Sequence, residues 1–187
     1  TVDADFNIQF PSLTTLLDSM QFNTLSLDLR NLSFRNSDLL YFSPDLVEQP
    51  FFKNGMNVTT ASGMVNGSLD NLSGKNWVIK TAENTTVKTD FTIKGLPKYE
   101  TAFFDFPNLT VISGQKDLLM MAGPYIPENI ELPENINMLI SFKGKLKSFE
   151  STASMVSSFG DANLIATVDQ AENFSGKVNM SSFDLGK

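Results

Sequence analysis

Apolar and polar residues alternate with a period of two along most of this chain, most densely over residues 136–187. Four short segments carry the pattern there: Ile136, Met138, Ile140, Phe142; then Ala153, Met155, Ser157, Phe159; then Ala162, Leu164, Ala166, Val168; then Phe174, Gly176, Val178, Met180. A period of two puts alternate side chains on one face of a β-strand. Gly144, Gly160 and residues 169–173 fall between the segments, where turns are expected. The pattern predicts an antiparallel meander with one apolar face.

The earlier part of the chain reads similarly. Residues 2–10 form a strand with Phe6, Ile8 and Phe10 on one side. Ser12 can cap a short helix carrying Leu13, Leu16, Leu17 and Met20. Residues 22–34 predict a long strand in which Leu25, Leu27 and Leu29 share a face, and a change of phase before Leu32 predicts a bulge. A capped helical turn at residues 37–42 stops at Pro44, and residues 45–55 form a linker. Residues 56–72 give one or two strands, and residues 76–81 give another with Trp77 and Ile79. Val87, Thr89, Phe91 and Ile93 line one face of a strand over residues 86–94. Pro107 interrupts a strand at residues 103–112, so that strand is expected at an edge or with a bulge. A helical turn follows at residues 115–122, then a proline-rich connector at 123–133.

Parts of the pattern repeat. Gly63-Met-Val-Asn-Gly67-Ser-Leu69-Asp-Asn-Leu72 overlies Ile140-Ser-Phe-Lys-Gly144-Lys-Leu146-Lys-Ser-Phe149 at an offset of 77 residues. The same offset brings Val87 onto Leu164 and Phe91 onto Val168. Asp5-Phe-Asn-Ile-Gln echoes Asp90-Phe-Thr-Ile-Lys, and each is followed by Asp-Leu-Leu, at Asp38 and Asp117. Recurrence on this scale predicts a unit that stacks on its own copies, here two approximate repeats at 1–84 and 85–187 within a single domain. The fold class expected is mainly β: a long, curved, repeat-built antiparallel sheet of roughly ten to twelve strands with a few short helices.

Composition narrows the chemistry. Sixteen Phe and an apolar fraction of 41% support a packed or sheltered apolar surface, not disorder. The net charge of −7 disfavours nucleic acid as a partner. With no Cys and no His, thiol chemistry, imidazole chemistry and the usual zinc sites are excluded. A Ser-His-Asp triad cannot be assembled, and no G-x-G-x-x-G, Walker loop or calcium-loop pattern occurs. Asp3 and Asp5 share a strand face, but a solvated face accounts for them. No enzyme activity, cofactor or metal is expected. Asn-x-Ser/Thr occurs at Asn31, Asn57, Asn66, Asn71, Asn84, Asn108, Asn173 and Asn179, which composition explains as strand-and-turn sequence. No apolar run is long enough to span a bilayer and no signal peptide opens the chain, which starts and stops mid-pattern like an internal fragment.

A meander with one apolar face can pack on a second sheet, lie under helices, or line a cavity that holds something apolar. The predicted helices are too few and too short to cover it. A closed sandwich, acting as a structural or chaperone-like scaffold for protein partners, and an open groove both remain.

Four stretches carry a family resemblance. They are Leu27-Asp-Leu-Arg-Asn-Leu-Ser-Phe-Arg-Asn-Ser-Asp-Leu-Leu-Tyr-Phe-Ser-Pro, the glycine-spaced stretch from Gly63 to Leu72, Phe91-Thr-Ile-Lys-Gly-Leu-Pro, and the segment from Phe174 to Lys187. Together they resemble the middle of the TamB family, within the wider AsmA-like group. The resemblance implies a taco-like β-sheet folded lengthwise around an apolar groove. It implies a periplasmic segment of an inner-membrane-anchored protein of a Gram-negative envelope. Two activities follow from it: phospholipid transport between inner and outer membranes, and support of outer-membrane protein assembly with a β-barrel partner of the TamA or BamA kind. The groove would hold phospholipid acyl chains, each buried CH₂ contributing about 0.8 kcal/mol. The candidate lining residues are Leu25, Leu27, Leu29, Val87, Phe91, Ile93, Met138, Ile140, Phe142, Leu164, Val168, Val178 and Met180.

Overall fold

A computed structural model describes residues 1–9, 24–41, 47–48, 52, 57–123 and 131–182. Its strands are β1 (Val2–Gln9), β2 (Thr24–Arg35), β3 (Val58–Ser68), β4 (Asn71–Thr81), β5 (Thr85–Lys94), β6 (Phe103–Gly114), β7 (Asn135–Lys145), β8 (Ser148–Ser157), β9 (Gly160–Val168) and β10 (Phe174–Ser181). They form one ten-stranded sheet in strict sequence order, every neighbouring pair antiparallel. The sheet does not close, because β1 and β10 end it on opposite sides. The fold is therefore mainly β. The two-sheet sandwich is not adopted: sequential hairpins keep all ten strands in one hydrogen-bonded layer.

Among the described elements two short helices interrupt the meander, a 3₁₀ helix at Asn36–Tyr41 after β2 and α1 at Gln115–Ala122 after β6. Each carries the acidic residue of an Asp-Leu-Leu triplet in its first turn, Asp38 or Asp117, where it complements the positive end of the helix. The two lie four strands apart, at the same end of the sheet. The offset of 77 residues likewise carries the β3–β4 hairpin onto the β7–β8 hairpin: Gly67 pairs with Leu72, and Gly144 pairs with Phe149.

Three expected boundaries move. Gly160 is not a turn residue but the first of β9, and Phe159, expected at the end of the preceding strand, lies in the Ser158-Phe159 turn. Gly144 is not a turn residue; it lies within β7, and the turn is Leu146-Lys147. Its backbone has φ of 142°, and a side chain there would run into the Ser148 carbonyl and the Phe149 backbone. Close approach of two strands, not chain reversal, requires the glycine. The segment expected at residues 76–81 is the second half of a longer strand, β4, which begins at Asn71 and carries a register shift between Gly74 and Trp77. The bulge before Leu32 occurs as expected, between Leu29 and Leu32. Pro107 also sits at a bulge, between Phe106 and Leu109, inside a strand paired on both sides. Proline removes a ladder donor, and a bulge already leaves a residue unpaired, so the two coincide. The helix expected around Ser12, most of the linker at 45–55 and most of the connector at 123–133 lie outside the described residues.

Register shifts interrupt the pairings among β1 to β6 and between β6 and β7, whereas β7 to β10 pair without one. Bulges bend a strand and increase its twist, so the devices that curve this sheet are concentrated in its first six strands.

Candidate functional site

The pairing registers define two faces. Directly opposed residues in an antiparallel pair project to the same side. One row crosses all ten strands: Ile8, Leu25, Gly67, Leu72, Ile93, Phe104, Gly144, Phe149, Val168 and Phe174. A second row does the same nearer the helical end: Val2, Leu32, Ala61, Ile79, Val87, Val111, Met138, Met155, Ala162 and Met180. Neither row contains a polar side chain. Between them lie Leu27 and Leu29 on β2, Phe91 on β5, Phe142 and Ile140 on β7, Leu164 on β9 and Val178 on β10. All thirteen residues singled out from the sequence thus project from the same face, spread from β2 to β10.

This face is the more sheltered of the two. Ile136 is 8% exposed and Met138 and Ile140 are half-buried, whereas Leu139, which points the other way on the same strand, is 52% exposed. Leu29, Ala61, Val65 and Ala166 are also buried on this side. Shelter falls away towards the sheet edges, where Phe6 is 73% and Phe174 is 70% exposed.

An aromatic ridge follows the line of bulges. Trp77, Phe91 and Phe106 sit on three adjacent strands, with ring centroids 6.0 Å apart at each step. Such tilted pairs are favourable contacts at this spacing. The Trp77 indole N–H donates to the Met64 carbonyl at 3.0 Å, which ties the β4 bulge back to β3. From the polar side, Asp90 clasps the same bulge. Its carboxylate accepts the Lys75 ammonium at 2.9 Å and the Asn76 backbone N–H at 2.7 Å, and these two groups hold Asp90 below the usual carboxylate range.

Sequence reasoning missed a polar ladder that closes the apolar face at its helical end. Thr59 donates from Oγ1 to Asn36 Oδ1 at 2.6 Å and shares a hydrogen bond with Thr81. Thr81 pairs with Thr85 across β4 and β5, and Thr85 Oγ1 contacts both Ser113 Oγ and Asp117 Oδ2. Asp117 also accepts the backbone N–H groups of Glu83 and Asn84, joining α1 to the β4–β5 turn. All five buried polar residues among those described (Asn36, Thr59, Thr85, Ser113 and Asp117) belong to this ladder. Further along α1, Met120 Sδ accepts from Asn57 Nδ2 at 3.1 Å, which carries the helix back over the end of the sheet towards β3. The available signal was parity: Thr59, Thr81, Thr85 and Ser113 occupy the same alternate positions as the apolar residues of their strands.

The opposite face is richer in charge but mixed: Met64, Ile112, Leu139, Val156 and Ile165 also stand exposed on it. It carries Asp28, Lys88, Asp105, Lys143 and Glu150, and the Asp3–Arg30–Asp5 cluster, in which Arg30 holds the Asp3 carboxyl below its usual range. Two shallow depressions are lined in common by Lys143, Glu150 and Thr167, which project on this side. Asn31, Asn66, Asn71 and Asn179 of the Asn-x-Ser/Thr triplets lie on the polar side of their strands, and Asn84 and Asn173 at turns. Residues two apart in a strand share a side, so a polar face rich in Asn, Ser and Thr generates such triplets. Among the described residues no three Asp or Glu converge as a metal-binding group, and no helix is long and apolar enough to cross a membrane.

Comparison with protein families, with curated proteins and with solved structures gives no match.

Proposed function

We propose that this chain is a lipid-binding β-groove segment of the TamB and AsmA-like kind, non-enzymatic, acting in the periplasm of a Gram-negative envelope. Phospholipid acyl chains lie along the sheltered face, and the segment carries them between inner and outer membranes while supporting outer-membrane protein assembly with a β-barrel partner. The observation that carries this is the pair of uninterrupted apolar rows crossing all ten strands of an unclosed sheet. An acyl chain laid across them loses water contact at about 0.8 kcal/mol per buried CH₂, and its headgroup stays in water. No specific polar site is needed. The large or flexible side chains of Phe91, Phe142, Met138 and Met180 suit a chain with many conformers. The recurring hairpins and the Asp-Leu-Leu helices, four strands apart, fit a repeat-built groove that lengthens by adding units.

Native mass spectrometry of the detergent-free 187-residue chain, with extraction of bound lipid, tests the proposal. One or more phospholipids per chain is the expected result. A well-folded, lipid-free chain that fails to take up phospholipid from vesicles would overturn it.

A further inference from the structure

We infer, resting on the lipid-groove reading, that a phospholipid held on this face has one orientation. Its tails run along the strands towards the helical end, and its headgroup emerges at the opposite end, beside Lys94, Lys98 and Lys145. The two ends of the sheet differ because successive connections of a meander alternate between them. The turns β3–β4, β5–β6, β7–β8 and β9–β10 lie away from the two helices.

The helical end is shut to a headgroup. Thr59, Thr81, Thr85 and Ser113 follow one another across β3 to β6 on the apolar side. Asn36 of the 3₁₀ helix and Asp117 of α1 are bonded onto them, and Thr59, Thr85 and Ser113 are at most 8% exposed. Asn36 Nδ2, the buried side-chain donor without a partner among the described residues, is itself enclosed. A phosphate placed there would lose its water, which costs more than such groups return. The rim outside is acidic: Asp38, Glu83, Glu134 and Asp161 outweigh Arg35 and Lys116, and Lys116 already pairs with Glu83 at 3.3 Å.

The turn end is open. Neither helix lies there, and Lys94, Lys98 and Lys145 are exposed and have no ion pair among the described residues. Lys98 stands in the β5–β6 loop. Lys94 and Lys145 occupy the last positions of β5 and β7, where a flexible stem can carry the ammonium round the end of the sheet. Of the acids at this end, Glu172 pairs with Lys147 and Asp169 is held within its own turn, which leaves Asp70 and Glu100. Tyr99 and Leu146, 60% and 51% exposed, suit the boundary between tails and water. The span also fits. Ile93 and Val87, one in each apolar row, are six positions apart on β5, about 20 Å. One leaflet of a bilayer holds its tails in about 15 Å, so a tail entering at Ile93 ends short of the Thr85 hydroxyl.

Nitroxide quenching tests the orientation, and single labelling sites are clean because the chain has no Cys. A fluorophore is attached at Tyr99→Cys, at the turn end, or at Asn84→Cys, at the helical end. Each labelled chain is loaded with phosphatidylcholine carrying the nitroxide either on the headgroup or near the tail terminus. The headgroup label should quench the Tyr99→Cys probe much more than the Asn84→Cys probe, and the tail label should do the reverse. Lys98→Gln with Lys145→Gln should weaken binding of phosphatidylglycerol about tenfold, whereas Lys116→Gln should leave it unchanged. Equal or stronger quenching of the Asn84→Cys probe by the headgroup label, or an affinity that the double variant leaves unchanged, would overturn the inference while leaving lipid binding intact. A folded chain that takes up neither labelled lipid would overturn the groove reading, and the inference with it.

Discussion

Gly74 and Phe91 are direct cross-strand partners, and the Phe91 ring fills the space that a side chain at position 74 would need. The glycine lets the ring lie flat over β4, between Trp77 and Phe106. Gly74→Val should therefore displace Phe91 and destabilise the sheet by about 1–3 kcal/mol. Urea denaturation measures this. The loss should shrink in a Phe91→Leu background, and an equal loss in both backgrounds would mean that backbone conformation, not the ring, sets the cost.

Phe91 also offers a test of the open face. It is half-buried, so a carboxylate placed there can reach water. Phe91→Glu should leave a cooperative fold with a lowered Tm while abolishing lipid co-purification. Leu164→Glu, at a site already 38% exposed, should keep nearly the original Tm and still reduce bound lipid. Full unfolding of both variants would mean that the face is a closed core, where an unpaired buried charge is not tolerated.

Asp117 joins α1 to the β4–β5 turn through two backbone N–H groups and the Thr85 hydroxyl, and it is 2% exposed. Asp117→Ala removes the acceptor shared by the turn and the buried Thr85 hydroxyl and should cost about 1–3 kcal/mol, whereas Asp117→Asn keeps one acceptor and should cost less. Hydrogen exchange at the Asn84 amide gives the local readout. It should accelerate in the alanine variant before amides in the middle of β5 do.

Acid should loosen the β9–β10 turn. Asp169 accepts hydrogen bonds from the Asn173 side chain and from the backbone N–H groups of Asn173 and Ala171, which hold its carboxyl below the ordinary range. A depressed folded pKa contributes stability that is present above the unfolded value, near about 3.9, and is lost as pH falls through the folded value. Amide protection along β10 should therefore drop below about pH 4. Asp169→Ala should show that loosened turn at neutral pH. Equal protection at pH 7 and at pH 3 would count against the turn as the acid-sensitive point.

The alternation of side chains by itself determined which residues share a face. Leu25, Leu27 and Leu29 can only project together from an extended strand, and so can Val87, Phe91 and Ile93. It also located the Leu29–Leu32 bulge, because an extra residue shifts the phase of the pattern. Alternation is a local property, and it cannot say what a strand pairs with or what lies over its apolar side. The tertiary structure decided that all ten strands join in one unclosed sheet, that the two apolar rows align from edge to edge, and that Asn36, Thr59, Thr85, Ser113 and Asp117 meet in a ladder at one end. Those hydroxyls share parity with their apolar neighbours, so the sequence marks them as facing inward. Their burial depends on α1 folding back over the sheet, and that placement arises from contacts between residues far apart in the chain, such as Asn57 with Met120 and Asn84 with Asp117.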